Sequence, residues 1–288
     1  MVATVVRLLV ASCLCLGAVS AASAQPAAPP AASRAEPLAI GDTFTVDSAV
    51  LHETRRINVF LPPVYHESAA TSLPVLYMPD GGIGEDFLHV AGLVQIAVLN
   101  GTMRPFLLVG IENTQRRRDM TGPTQNAEDR KIAPQVGGSA AFRAFLRKEL
   151  MPEVRKRYRT TDETAIVGES LAGLFVVETL FLEPDLFDTY VAIDPSLWWN
   201  DGELVTRATQ RLADRSRPSA TLYLATSDEP GIVKPVETLV ATLRKSAPPT
   251  LRWHHEAMPE EHHGTIYHPA ALRAFRGVLA SAPKVPSD

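Results

Sequence analysis

The chain has 288 residues, of which 45% are hydrophobic and 21% charged, with a formal net charge of −4. That balance suits one large globular domain or two small ones. The basic clusters are Arg116-Arg117-Arg118 and Arg155-Lys156-Arg157, too few and too separate for a nucleic-acid surface, so no nucleic-acid partner is expected.

Arg7 is the only charge before residue 34, and residues 8–21 form an apolar run too short to span a membrane comfortably. Ala22-Ser23-Ala24 then fits a small-residue cleavage site. The pattern predicts a signal peptide over residues 1–24, and with it a periplasmic or secreted chain without stable membrane association after cleavage. Both cysteines, Cys13 and Cys15, lie in that segment, so the mature chain needs neither a disulfide nor a thiolate metal site. Residues 25–39 are rich in Pro and Ala and read as a flexible leader.

From residue 40 to 282 apolar runs of strand and helix type alternate, which predicts a single α/β domain with a mostly parallel sheet. Residues 43–51 and 56–61 read as paired strands. The runs 73–78 and 106–111 read as buried strands whose C-terminal ends carry Pro79-Asp80-Gly81-Gly82 and Glu112-Asn113-Thr114. Ligands of open α/β sheets bind at that edge. Residues 115–137 are polar and read as a long loop over it. Residues 139–158 carry a helical stripe. Beyond the central motif come strands at 189–193, 220–225 and 251–258 and helices at 203–213, 234–245 and 269–280.

The central motif is Thr164-Ala-Ile-Val-Gly-Glu-Ser-Leu-Ala-Gly173. A short apolar run meets a turn of small residues around Ser170, and a helix-length apolar run follows. Small neighbours at 168, 172 and 173 let strand and helix crowd beneath the serine and push it out above the strand ends. This is the nucleophile-elbow layout of an α/β-hydrolase. The N–H of Leu171, first in the helix, is left free to face an anion.

A serine nucleophile needs a base, an acid to orient it, and N–H donors for the oxyanion. In a hydrolase elbow the chain order is Ser, acid, His. Five of the eight histidines fall between 254 and 268. Of these His263, before Gly264 in the loop after the last strand, is placed to lean over the sheet edge, with His262 as its rival. Asp228 and Glu229, after the 220–225 strand, are the candidate acids, with Glu229 preferred. Gly81-Gly82 can bring backbone close to a substrate carbonyl and supply the second oxyanion donor. The histidine cluster lacks a recognised zinc-ligand spacing, and no metal or organic cofactor is expected.

With these pieces in place the chain resembles the esterase-D-like esterase family of α/β-hydrolases, and most closely its siderophore-esterase branch, which hydrolyses enterobactin- and bacillibactin-type trilactones. The resemblance rests on Leu-Pro-Val-Leu-Tyr-Met-Pro-Asp-Gly at 73–81, Val-Gly-Ile-Glu-Asn at 109–113 and Arg-Asp-Met-Thr at 118–121. It continues through Gly-Glu-Ser-Leu-Ala-Gly at 168–173, Asp-Pro-Ser-Leu-Trp-Trp at 194–199 and His-Gly-Thr at 263–265. It implies Ser170 as nucleophile, His263 as base, and the N–H groups of Gly82 and Leu171 as oxyanion hole. It also implies that Arg118 or its neighbours Arg117 and Arg116 meet a polar or anionic substrate, and that Trp198 and Trp199 stand at the pocket rim. The expected partner is a small-molecule ester, either a siderophore trilactone or an acyl or feruloyl group on polysaccharide. A non-catalytic binding protein on the same scaffold is the reading from a different class.

Overall fold

Among the described residues eight strands alternate with helices, and they join into one sheet in the order β1-β2-β4-β3-β5-β6-β7-β8. These are β1 (Asp42–Ser48), β2 (Glu53–Phe60), β3 (Leu73–Pro79), β4 (Leu107–Ile111), β5 (Thr160–Glu169), β6 (Thr189–Ile193), β7 (Ala220–Thr226) and β8 (Leu251–Ala257). β1 pairs antiparallel with β2, and β2 antiparallel with β4. From β4 to β8 every pairing is parallel. The reversal of strand order around β3 is the switch that opens a crevice at the strand C-termini. This is the α/β-hydrolase fold. The computed structural model describes residues 35–133, 135–213 and 218–281. The signal peptide and most of the leader expected from sequence lie outside those residues.

β3, β4, β6, β7 and residues 164–168 of β5 are buried on both faces, so their side chains alternate between two apolar layers rather than between core and water. Val75, Tyr77, Val109, Ile166, Tyr190, Leu222 and Leu224 face one layer, packed with the helices Leu171–Leu182 and Pro230–Ser246. Leu76, Met78, Leu108, Val167, Val191 and Tyr223 face the other, packed with the helices Phe87–Leu99 and Tyr267–Val278. The described residues from Ile40 onward form one compact unit.

Three details differ from the sequence expectations. The helix Phe87–Leu99 was not foreseen; its run of Val, Ala, Leu and Ile lacks a polar face, because Val90, Leu93 and Val94 are buried while Leu88, Ile96 and Leu99 are exposed. The expected loop over 115–137 contains two short helices, Arg116–Met120 and Ala127–Ile132, the second capped by Asn126, whose side chain accepts from the Glu128 N–H at 2.8 Å. The expected helix at 203–213 is in two pieces, Trp199–Thr206 and Ala208–Leu212. Three successive left-handed residues, Asn200, Asp201 and Gly202, with φ of 52°, 55° and 71°, make the sharp turn at its start.

Candidate active site

Ser170 sits between β5 and the helix Leu171–Leu182 with φ 61° and ψ −119°, a conformation L-residues avoid and one that costs on the order of 1–3 kcal/mol. The surroundings force it. A Cβ on Gly168 would come within 2.8 Å of the Ala172 Cβ, and one on Gly173 within 2.9 Å of the Ile193 carbonyl oxygen. The Ser170 N–H donates to the Ile193 carbonyl at 3.0 Å, and its own carbonyl accepts from Ser196 at 3.0 Å and Leu174 at 2.9 Å. Backbone on both sides is thus tied to the end of β6, and the hydroxyl is left at the sheet edge.

The loop after β8 brings His263 over that hydroxyl. Its Nε2 lies 3.1 Å from Ser170 Oγ, and its Nδ1 lies 2.7 Å from Asp194 Oδ2. A carboxylate can only accept, so Nδ1 carries a hydrogen and the neutral ring presents a lone pair at Nε2 to the serine. Asp194 is fully buried, follows β6, and has φ 46°. Its two oxygens also accept from the N–H and the hydroxyl of Ser227, each at 2.7 Å. Those bonds hold the carboxylate in one orientation. The Asp194 hydrogen bond raises the pKa of His263 above the ordinary histidine value; burial opposes the rise, and the nearby Glu169 charge adds to it.

The acid expected from sequence is therefore corrected. Asp228 lies against the other histidine, with its Oδ2 2.8 Å from His262 Nδ1, and that pair is exposed. Glu229 caps the helix Pro230–Ser246 through its backbone, and its exposed side chain makes no hydrogen bond to His263. Asp194 takes the place beside the base because β6 is next to β5, whereas β7 is one strand further from the elbow. Chain order remains Ser170, Asp194, His263. The signal was present in the sequence: an Asp at the end of a buried strand, followed at once by Pro195.

Leu171 is the first residue of its helix, and its N–H has no intrahelical acceptor. Gly82 differs from expectation: its N–H donates to Glu85 Oε2 at 2.7 Å, while Glu85 donates its own N–H to the Gly82 carbonyl at 3.0 Å. This reciprocal pairing closes the turn and occupies the expected oxyanion donor. Gly81 is needed for space, since a Cβ there would lie 2.2 Å from the Ile111 nitrogen.

The arginines are mostly engaged. Arg118 donates to Glu53 Oε1 and to Asp119 Oδ1, both at 2.7 Å, and Asp119 is itself paired with the buried Arg55. That makes Arg118 a brace between β2 and the helix Arg116–Met120, not a free cation. Arg117 is exposed and donates to the Ile132 carbonyl. Arg116, the third arginine of the cluster, grips both oxygens of Asp80 at 2.6 and 2.8 Å. Trp199 is packed, with Nε1 donating to the Gly122 carbonyl at 2.9 Å, whereas Trp198 is 37% exposed.

One further carboxylate stands beside the base. Glu169 Oε1 lies 3.4 Å from His263 Nε2, and burial pushes the Glu169 pKa up to about 7 against the pull of His263 and Arg116. Glu169, Asp194 and His263 offer ligand atoms within 4.8 Å of one another, a spacing a metal ion could use. In this arrangement the two His263 nitrogens already pair with Ser170 and Asp194, and the two Asp194 oxygens with Ser227 and His263.

The model of the esterase family described as "Putative esterase" matches residues 48–246, more than half of the chain. The chain belongs to this esterase family. Among its relatives is the ferri-bacillibactin esterase BesA of Bacillus subtilis, 30% identical over 163 residues, 52% of this chain and 56% of the relative. The siderophore triacetylfusarinine C esterase of Aspergillus fumigatus is 36% identical over 157 residues, 48% of this chain and 50% of the relative. The chain thus spans about half the length of these curated relatives. Among solved structures, an IroE-like serine hydrolase from Shewanella oneidensis superposes with a TM-score of 0.74 at 29% identity, covering 83% of this chain and 80% of the other. A BES protein from Bacillus cereus shares the fold, with a TM-score of 0.76 at 18% identity, over 86% of this chain and 99% of the other.

Proposed function

We propose that this member of the esterase family is a serine carboxylesterase acting on a small-molecule ester. The observation that carries the reading is the continuous relay from Ser170 Oγ through His263 to the buried Asp194. Ser170 Oγ attacks the ester carbonyl carbon as its proton passes to His263 Nε2, and the carbonyl oxygen becomes an oxyanion facing the Leu171 N–H. Asp194 steadies the imidazolium. The C–O bond to the alcohol then breaks, and His263 returns the proton to the departing oxygen. Water, activated by the same imidazole, releases the acid from Ser170. Each well-aimed N–H donor in such a site is worth about 3 kcal/mol to the transition state. Gly82 adds a second donor once Glu85 lets go of it.

The substrate class we favour is a siderophore ester, on the strength of the bacillibactin and fusarinine esterases among the relatives. The signal-type sequence of residues 1–24 supports an exported, periplasmic or secreted, enzyme. The test is hydrolysis of a short-chain p-nitrophenyl ester beside an iron-loaded catecholate trilactone, by the wild type and Ser170→Ala. Turnover that falls at least about a thousandfold in the variant is the expected result. Equal inertness of both proteins toward both esters would remove the reading.

A further inference from the structure

Glu169 immediately precedes the nucleophile, and its position is not required by the elbow turn. Its side chain is 15% exposed. A carboxylate that deep is ordinarily matched by an arginine or by backbone N–H donors. The nearest arginine, Arg116, is instead bound through two nitrogens to Asp80. Among the described residues the partner within ion-pair reach of Glu169 is His263, and the contact is to Nε2, the nitrogen that faces Ser170.

The consequence follows from the proton's route. Before the reaction the Nε2 lone pair accepts the Ser170 hydroxyl. After transfer, Nε2 carries a hydrogen and the ring a positive charge, with Asp194 on the Nδ1 side and Glu169 on the Nε2 side. We propose that Glu169 is a second carboxylate for His263, a positioning residue that stabilises the imidazolium from the Nε2 side while the proton waits for the leaving oxygen. It forms and breaks no covalent bond, and the proton still goes from Ser170 to the alcohol. The proposal deepens the esterase reading and rests on it for its catalytic part. The groups that face Glu169 are Asp80 after β3, Arg116, Asp194 after β6, His263 after β8, and Tyr267 at the head of the final helix; Glu229 adds to the field at His263.

Because Glu169 and His263 sit in contact, their protonations are coupled, and the wild type loses activity on acidification over a broad range. Removing the carboxylate leaves a single protonation at His263, at lower pH. The experiment pairs the pH profile of kcat/KM on a p-nitrophenyl ester with an NMR titration of the His263 ring, in wild type, Glu169→Gln and Glu169→Asp. We expect Glu169→Gln to move both the ring midpoint and the acid limb to lower pH. We expect it to lower the plateau kcat about two- to fivefold, the effect of losing one partly exposed charge pair. Glu169→Asp should restore part of each change. An unchanged ring midpoint in Glu169→Gln overturns the proposal, and so does a lower kcat with no shift of the limb. If the ring midpoint moves while the wild type hydrolyses no ester, the Glu169–His263 pairing stands and the esterase reading fails.

Discussion

Asp194 Oδ2 lies 2.7 Å from His263 Nδ1, although 69 residues separate the two in the chain. The pairing joins the end of β6 to the loop after β8, and it makes the acid a buried group rather than one of the exposed carboxylates at 228 and 229. A buried carboxylate fixed by Ser227 is pre-set in orientation, so it holds His263 Nδ1 in the donor tautomer.

Asp194→Asn therefore should lower kcat for ester hydrolysis by about a thousandfold or more, because the amide favours the wrong imidazole tautomer. Asp228→Ala and Glu229→Ala should each stay within about twofold of wild type, as expected of exposed groups remote from the relay. Steady-state kinetics on a p-nitrophenyl ester separate the cases; a large loss in Glu229→Ala with a small one in Asp194→Asn would reverse the assignment.

Glu169 ties activity to stability. Its pKa stands at about 7 in the folded protein against an ordinary 4.5. The folded state therefore binds more protons than the unfolded one between those values, and stability falls as pH rises through that window. The penalty above pH 7, after allowance for partial exposure, is on the order of 2 kcal/mol. Glu169→Gln should melt about 4–8 °C higher than wild type at pH 8 and at nearly the same temperature at pH 4. Scanning calorimetry at the two pH values checks this, and an equal or lower melting temperature at pH 8 counts against it.

Much of this was legible in the sequence, and the reason is physical. Strands buried on both faces read as continuous apolar runs, and an elbow needs small residues at fixed places, so β3 to β7 and Ser170 stood out. His263, expected over the sheet edge from its position after the last strand and before Gly264, lies 3.1 Å from the Ser170 hydroxyl. The acid was misplaced because Asp228 and Glu229 also follow a strand, and linear order cannot say which of two adjacent strands ends nearer the serine. Arg118 looked like a free cation because its partners Glu53 and Asp119 come from β2 and from its own helix. Glu169 carried no signal at all, since the residue before an elbow serine is unconstrained by the turn.

Gly81 tests how tightly the turn after β3 is built. A methyl group there would overlap the backbone of Gly110 and Ile111 at 2.2–2.3 Å. Gly81→Ala should destabilise by at least about 2 kcal/mol, as overpacking against unyielding backbone does. Urea unfolding monitored by tryptophan fluorescence would measure it, and a change under about 0.5 kcal/mol would mean the turn gives way easily.

Glu85 provides a test of the oxyanion site. Its carboxylate occupies the Gly82 N–H at 2.7 Å. Glu85→Ala should free that donor and tighten a boronic-acid inhibitor about three- to tenfold, a fraction of one donor's worth because the turn also loses its clasp. Inhibition constants decide the matter; unchanged affinity would place the second donor elsewhere than Gly82.

The most direct test of the relay is labelling by a fluorophosphonate, read by mass spectrometry of the digested protein. A single adduct on the peptide containing Ser170 is predicted in the wild type, with labelling nearly abolished in His263→Ala and strongly slowed in Asp194→Asn. Labelling at another serine, or equal rates in wild type and His263→Ala, would contradict the claim that His263 and Asp194 activate Ser170.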